Sequence, residues 1–199
     1  MKILSISDVV VPELNECFER ERFKGVDLVL SCGDLPPEYL STVQESLAVP
    51  LFYVKGNHDI RYETAPPRGC MNLHRRLLRF KGFRIMGLEG SRWYNGGPNQ
   101  YHESQMRYMI WLMMPSIWLN RGVDLIISHA PPRHIQDAED PCHQGFDCFV
   151  TLIKRCEPRY FVHGHIHRLF SDDSQRTTQV GRTQVTNTVG YHLFEVNHG

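Results

Sequence analysis

Five short polar segments carry the side chains of this 199-residue chain that are best suited to chemistry. They combine carboxylates, one amide and several imidazoles, which are the oxygen and nitrogen ligands that divalent first-row metal ions bind in proteins. No cysteine belongs to the set. The segments are Asp8, Gly33-Asp34, Gly56-Asn57-His58-Asp59, His129 and Gly164-His165-Ile166-His167. Two metal ions held ~3.5–4 Å apart by such ligands neutralise a phosphoryl group and supply hydroxide at neutral pH.

Each polar segment directly follows a short apolar run that reads as a buried strand. The runs are short and rich in β-branched and aromatic residues, and the third breaks at Gly56. Because the first three alternate with helical segments, they indicate parallel strands joined by right-handed crossovers. Polar residues at the carboxyl ends of such strands meet at one edge of the sheet, where ligands bind in α/β proteins. The runs are residues 2–7, 26–32, 49–54, 123–128 and 159–162.

Taken singly, these residues have ordinary structural explanations. An aspartate after a strand, such as Asp8 or Asp34, often caps the following helix. His129 stands before Ala-Pro-Pro and could belong to a turn, and His163 is expected to be structural. The occurrence of all five segments in one chain favours a metal site over these separate explanations.

Length and composition predict a single domain over residues 1–199. The hydrophobic content is 41%, which is typical of a globular protein. Lys plus Arg and Asp plus Glu both number 22, so no net charge attracts the chain to nucleic acid, which is an unlikely but not excluded partner. Six cysteines without a CxxC pair predict a reduced, cytoplasmic protein. The apolar stretch 108–119 is too short to span a membrane.

The rest of the chain supplies the elements that position the polar segments. Helices are predicted over 12–24, with Leu14, Phe18 and Phe23 as core contacts, and over 37–47 and 146–155. Methionine and isoleucine at helical spacing over 106–117 predict the core face of a long helix that bends or ends near Pro115. Residues 73–80 and 83–88 read as a hairpin, and two or three antiparallel strands follow residue 168. The segment 91–98, with Tyr94, is expected to lie as a loop over one end of the sheet.

In order and spacing, the five segments resemble the calcineurin-like metallophosphoesterase family from residue 3 to about residue 168. The resemblance implies an α/β fold, a four-layer α-β-β-α sandwich of two mixed sheets flanked by helices. It also implies two divalent metal ions. One would be bound by Asp8, Asp34 and His167, and the other by Asp34, Asn57, His129 and His165, with Asp34 bridging the two.

The resemblance further implies how the remaining two polar residues act. His58 would face the phosphate and donate a proton to the leaving oxygen, and Asp59 would orient His58. The expected reaction is hydrolysis of a phosphomonoester or phosphodiester by a metal-bound hydroxide, without a covalent intermediate. Mixed nitrogen and oxygen ligation favours manganese, iron, zinc or nickel.

One position departs from the family pattern. The first motif of the family is Asp-x-His, whereas this chain reads Asp8-Val9-Val10. Val10 cannot bind a metal ion, so a solvent molecule or a side chain such as Glu13 would complete that shell. We therefore expect the first metal site to be weaker than the site formed by Asn57, His129 and His165.

Two further expectations concern the substrate and the alternative to catalysis. The loop 137–145 follows the His129 strand and is expected to return over the metal ligands, so that His143 contacts a small phosphorylated substrate. The alternative is a degenerate scaffold or binding protein on the same fold, as in the retromer subunit that resembles these enzymes. Val10 favours the scaffold, whereas His58 favours an enzyme.

Overall fold

The computed structural model describes residues 1–15, 21–168 and 170–197. The regular elements of this part of the chain are two larger sheets, three α-helices, a short two-stranded ribbon and three 3-10 turns. The helices are α1 Pro37–Leu47, α2 Glu103–Leu119 and α3 Asp147–Cys156. The strands are β1 Lys2–Ser7, β2 Leu28–Ser31, β3 Leu51–Tyr53, β4 Cys70–Asn72, β5 Leu77–Phe80, β6 Phe83–Leu88, β7 Ser91–Arg92, β8 Gln100–Tyr101, β9 Leu125–Ser128, β10 Tyr160–His163, β11 Thr177–Val180, β12 Thr183–Asn187 and β13 Gly190–Glu195.

Both large sheets mix parallel and antiparallel strands. The first has the order β13-β1-β2-β3-β4, in which only β13 runs antiparallel to its neighbour. The second has the order β11-β12-β10-β9-β6-β5, with a parallel centre and antiparallel outer pairs. The three predicted carboxyl-terminal strands are present, and they divide between the sheets because β13 crosses over to pair with β1.

Three apolar clusters show how the layers stack. One cluster fills the space between the two sheets and includes Ile3, Phe52 and Ile127. A second joins α1 to the outer face of the first sheet, through Leu40 and Val43. The third joins α2 and α3 to the outer face of the second sheet. This arrangement confirms the predicted α-β-β-α sandwich.

Parallel pairing places the candidate ligands along one edge of the sandwich. Strands β1, β2 and β3 of the first sheet run in the same direction, as do β9 and β10 of the second. The loops that leave their carboxyl ends therefore emerge together. Short backbone hydrogen bonds join these loops: the Asp8 N–H donates to the Gly33 carbonyl at 3.1 Å, and the Gly164 N–H donates to the His129 carbonyl at 3.0 Å.

The helix predicted over 12–24 is wrong in the part that is described. A single 3-10 turn, Pro12–Leu14, follows β1, and residues 21–25 form turns. Phe18 lies outside the described residues. Leu14 and Phe23 are buried as expected, so the apolar pattern identified core contacts correctly but assigned them to the wrong backbone conformation.

Helix α2 carries the predicted core face and a second apolar face. Its buried side packs on the second sheet and contains Met106, Ile110, Met113 and Ile117. The helix does not end at Pro115 but continues to Leu119. Trp111 and Trp118 are exposed on its outer side. None of the helices in the described ranges is long and apolar enough to cross a lipid bilayer.

Candidate metal centre

Four of the predicted ligands converge where the two sheets meet. Single ligand atoms of Asp34, His129 and His165 all lie within 4.8 Å of one another. The His129 Nε2 atom lies 3.3 Å from Asp34 Oδ2 and 3.0 Å from Asn57 Oδ1. His129, Asn57 and His165 are buried. The four side chains come from four separate loops, which the parallel strands bring together.

The other two predicted ligands lie beside this group. His167 Nε2 is 3.5 Å from Asp8 Oδ1, and the Asp8 carboxylate accepts the backbone N–H of His165 at 2.9 Å. Asp8 is buried at its carboxylate, whereas His167 is exposed. The six predicted ligands therefore lie close together, and His167 is the exposed member of the set. Their division between two metal ions stays a prediction.

Three of these ligand residues have a left-handed backbone. The φ angles are 64° for Asp8, 56° for Asp34 and 68° for His165. Such angles are uncommon for residues other than glycine, and they cluster at functional sites, where the surrounding structure must hold them. Each of the three follows a strand of the sheets by one or a few residues and turns its side chain back toward the shared edge.

Close approach of the loops depends on glycine. A Cβ atom on Gly164 would lie 2.6 Å from Asp8 Oδ2, and one on Gly56 would overlap Asp34 Oδ1. No real Cβ contact is that short, so the space beside each carboxylate exists only because these residues lack a side chain. The glycines of the Gly56-Asn57-His58-Asp59 and Gly164-His165-Ile166-His167 segments are thus explained by packing against the ligands.

The hydrogen bonds of His129 show that the donor set fits a cation. Its Nδ1 donates to the Cys32 carbonyl at 2.7 Å, so Nε2 faces the oxygen atoms of Asp34 and Asn57. Burial opposes a charge on His129, but Asp34 outweighs it and raises the pKa of His129 to about 9. A proton on Nε2 thus neutralises a cluster of acceptors. A divalent ion at the same point would take the place of that proton.

The neighbours of Asp34 stabilise the negative charge of its carboxylate. Burial would raise the pKa of Asp34, but the charge and hydrogen bond of His129 and the backbone N–H of His58 hold it well below its usual range. The N–H of His58 donates to Asp34 Oδ1 at 2.8 Å. Asp34 is therefore ionised at neutral pH, with Oδ1 accepting the His58 N–H and Oδ2 facing His129 Nε2.

The structure gives His58 and Asp59 different surroundings. His58 is exposed next to the ligand set, whereas Asp59 is buried. The Asp59 carboxylate accepts the backbone N–H groups of Gly56, Asp34 and Leu35 at 2.7, 2.8 and 3.2 Å. These bonds tie the loop after β2 to the loop after β3. Asp59 is thus a positioning residue for Asp34, which corrects the expectation that it orients His58.

The loop 137–145 returns over the ligands as predicted. The ring centre of His143 lies 5.2 Å from that of His165, and the Cys142 carbonyl accepts the Nε2 proton of His165 at 2.6 Å. That bond leaves Nδ1 of His165 as the nitrogen available to a metal ion. His143 is partly exposed at the mouth of the cleft, so its predicted contact with a substrate stays a prediction.

Val10 lies next to Asp8 and is 40% exposed. It lines a cavity of about 500 Å³ together with Glu13, Asp173, Arg176 and His192. Glu13 is thus close to the position where the family pattern has a histidine, and its role as a replacement ligand stays a prediction. His163, which the sequence analysis set aside, is buried and contacts Gln136 at 3.0 Å.

Two residues that orient the Asn57 loop come from the segment after β7. The Asn57 amide donates to the Tyr94 hydroxyl at 3.2 Å, and the Asn99 amide donates to the Gly56 carbonyl at 2.9 Å. The bond to Tyr94 leaves the Asn57 Oδ1 atom directed at the metal centre. Tyr94 was recognised in the sequence as part of a covering loop, but no sequence signal identified Asn99.

Tyr94→Phe tests this orientation. We expect metal affinity at the Asn57 site to fall about 10-fold, because the substitution removes the acceptor that holds the Asn57 amide. The measurement is a competition titration with a fluorescent chelator. Tyr108→Phe is the matched control, because Tyr108 is exposed on α2. An equal affinity for the two variants would contradict the orienting role of Tyr94.

Glu89 is a buried carboxylate close to Lys55, the residue before the Gly56-Asn57-His58-Asp59 segment. The Glu89 carboxylate accepts the Tyr101 hydroxyl at 2.9 Å and lies 3.8 Å from Lys55 Nζ. The Glu89 backbone N–H donates to His74 Nδ1 at 3.1 Å, which requires an unprotonated nitrogen. Burial, with smaller contributions from Arg75 and Lys55, lowers the pKa of His74 to about 4.

His74 should therefore make the protein sensitive to acid. The unfolded chain binds this proton near pH 6.5 and the folded chain near pH 4, so folded stability falls as the pH drops through that interval. The expected loss is on the order of 3 kcal/mol in the free energy of unfolding. Urea unfolding of His74→Gln and of the unaltered chain at several pH values measures it. Parallel pH profiles for the two proteins would contradict the assignment.

Comparison with known proteins agrees with the geometry. The sequence model of the family described as calcineurin-like phosphoesterase matches residues 1–169. A probable metallophosphoesterase of Methanothermobacter thermautotrophicus is 33% identical over 144 residues, which are 70% of this chain and 72% of that protein. Human metallophosphoesterase domain-containing protein 1 is 30% identical over 125 residues, which are 61% of this chain and 36% of that protein. The chain thus spans about a third of the human relative.

The fold is similar to that of solved structures as well. The calcineurin-like phosphoesterase YfkN from Bacillus subtilis superposes with a TM-score of 0.58 at 12% identity, over 97% of this chain and 83% of the YfkN chain. At that identity the likeness concerns the fold alone. From the match of the family model over residues 1–169, we conclude that this chain belongs to the calcineurin-like phosphoesterase family.

Proposed function

We propose that this chain hydrolyses a small phosphorylated substrate, a phosphomonoester or phosphodiester, with the help of two divalent metal ions. The observation that carries the proposal is the convergence of carboxylate, amide and imidazole ligands in one cleft, with His58 exposed beside them. Bound divalent ions would neutralise the phosphoryl oxygens and activate water. Manganese is the first metal to test, followed by iron, zinc and nickel.

In this proposal Asn57, His129 and His165 hold one ion among buried side chains. Asp8 and His167 hold the other, which is nearer the solvent because His167 is exposed. Asp34 would serve both ions, as the bridging ligand that the resemblance to the family implies. The second ion is held more weakly, since Val10 supplies no ligand. The neutral amide of Asn57 leaves more positive charge for the substrate than a carboxylate would.

His58 and His143 would contact the substrate rather than the ions. The ring of His58 is the general acid of the proposal, donating a proton to the leaving oxygen as the phosphorus–oxygen bond breaks. Its backbone N–H bond to Asp34 fixes His58 beside the predicted ligands, where the scissile group would lie. His143 would bind the substrate from the loop that covers His165.

Turnover of two nitrophenyl esters tests the proposal. The full chain, stripped with a chelator and then reloaded with Mn²⁺, should hydrolyse either the bis-ester or the monoester well above the rate of the stripped chain. Preference for one ester defines the substrate class. Equal rates for the stripped and reloaded chains, with each of the four candidate metals, would contradict a metal-dependent phosphoesterase.

The same assay distinguishes this enzyme from the second candidate function, a binding module without catalysis. Val10 favours this alternative, since it removes one ligand from the more open site. A module of this kind would still bind metal at the buried ligands but would turn over neither ester. Metal content measured on the assayed protein therefore separates loss of binding from loss of catalysis.

A further inference from the structure

The loop 137–145 contains a second compact group of metal-ligand side chains, formed by Asp140, Cys142 and His143. The Cys142 thiol donates to Asp140 Oδ1 at 2.8 Å, and His143 Nδ1 donates to the same oxygen at 2.8 Å. Sγ and Nδ1 are 3.4 Å apart. We propose that these three side chains bind a thiophilic divalent ion, best matched by zinc, in addition to the ions of the metal centre.

The separations of the three donor atoms suit a tetrahedral ion. Bonds from zinc to sulfur, nitrogen and oxygen place neighbouring ligand atoms ~3.3–3.6 Å apart. The observed triangle, with sides of 2.8, 2.8 and 3.4 Å, is slightly smaller, as expected when protons rather than an ion join the atoms. Rotation of the partly exposed side chains would have to lengthen the two separations from Asp140 Oδ1 by about 0.5–0.8 Å to reach these values. The fourth position faces solvent and suits a water molecule.

The charges of the group also match a divalent ion. Asp140 contributes one negative charge, and Cys142 contributes a second when it binds as a thiolate. His143 binds as a neutral imidazole: its Nδ1 proton is lost to solvent and Nε2 carries a proton instead, so the ring gains and loses one proton and keeps no charge. Binding of the ion breaks the S–H bond and releases that proton to solvent, so a neutral complex forms from the carboxylate, the thiol and the dication.

The backbone of the loop is held in place before any ion binds. Asp137 accepts from Arg133 at 2.7 Å and from the Gly145 N–H at 3.0 Å, which closes the loop at its base. The Ala138 N–H donates to the His143 carbonyl at 3.2 Å, and the His143 N–H donates to the Asp140 carbonyl at 3.1 Å. Because these bonds fix the ligand-bearing turn, ion binding needs little ordering of the chain.

A reactive thiol is the competing explanation for Cys142. A nucleophilic cysteine is stabilised as thiolate by a neighbouring positive charge. Here its closest partner is the Asp140 carboxylate, which favours the protonated thiol. A metal ion is the partner that makes a thiolate and a carboxylate compatible at this distance. The group therefore fits metal binding better than nucleophilic catalysis.

Cobalt substitution tests the proposal independently of activity. The metal centre has no cysteine among its ligands, so a near-ultraviolet thiolate-to-cobalt charge-transfer band would report only a thiol site. We expect the band in the full chain titrated with Co²⁺ and in Cys70→Ser, whose thiol lies on β4. We expect it to be absent from Cys142→Ser and strongly reduced in Asp140→Asn. Elemental analysis after zinc loading should show one ion fewer per chain in Cys142→Ser.

Each outcome of this experiment supports or overturns the proposal. A band that persists in Cys142→Ser would assign the thiolate to a different cysteine and overturn it. The proposal would also be overturned if the full chain showed no charge-transfer band at Co²⁺ concentrations that saturate the metal centre. Asp140→Asn keeps the size of the side chain, and matched melting curves establish that both variants are folded. A negative result for the Cys142 site would say nothing against ester hydrolysis at the metal centre, so the two proposals are tested separately.

Discussion

Replacing His58 with alanine should lower the turnover of the preferred nitrophenyl ester about 10²-fold or more, which is the scale expected for a positioned general acid. The metal content should stay the same, because the six predicted ligands do not include this side chain. His58 is exposed beside Asp34, and its backbone N–H, which alanine retains, donates to that carboxylate. The change therefore removes the ring and leaves the loop in place.

Kinetics and elemental analysis on the same samples measure both parts of this prediction. His134→Ala is the matched control, because His134 is an exposed histidine of the loop after β9 and is expected to leave turnover unchanged. A ring that acts as an acid affects good leaving groups less than poor ones, so the loss should be larger for a phenyl ester than for a nitrophenyl ester. Equal losses on both esters would remove His58 from the proton-transfer step.

Asp34→Asn should reduce turnover to the rate of the metal-free chain and release metal from the protein. Asp34 is the predicted bridging ligand, and its carboxylate is held ionised by His129. Asparagine keeps the size of the side chain but removes the negative charge that both ions share. Because the pKa of His129 is raised mainly by Asp34, the substitution should also lower that pKa, which NMR of the histidine ring detects in the stripped protein.

Asp27→Asn is the control for this substitution. Asp27 precedes β2, whereas Asp34 follows it, and its carboxylate pairs with Lys81 at the opposite end of the sheet. It should change neither metal content nor turnover. Retention of two tightly bound ions in Asp34→Asn would show that no ligand is shared between the two sites, and the assignment of the bridging role would be wrong.

The sequence predicted the strand ends well because the pattern there is dictated by burial. The runs that became β1, β2, β3, β9 and β10 are apolar since both faces of these strands are covered. Their parallel order then determines where the polar residues after them lie. Helix 12–24 failed because its few apolar residues are compatible with several backbone conformations. Leu14 is buried in a 3-10 turn and Phe23 in the turns of residues 21–25.

Sequence patterns did not predict the contacts between loops. Asp59 was expected to orient its neighbour His58, but its carboxylate instead accepts backbone N–H groups of Gly56, Asp34 and Leu35. Likewise, the bond from His165 to the Cys142 carbonyl joins segments 23 residues apart through the main chain, which any residue type at position 142 would offer. Such bonds depend on tertiary packing and on main-chain atoms, so the residue types do not reveal them.

The left-handed backbone of Asp8, Asp34 and His165 has a consequence for how this site can change in evolution. Aspartate and asparagine tolerate that conformation better than alanine or β-branched residues do. Many single substitutions at these positions would therefore weaken folding as well as ligation, and selection for stability alone opposes them. Position 10 has no such constraint, since Val10 lies outside the left-handed region. A lineage could exchange the residue at position 10 at little cost to the fold. If two ions bind as proposed, the affinity for the ion beside Asp8 and His167 would therefore change most readily.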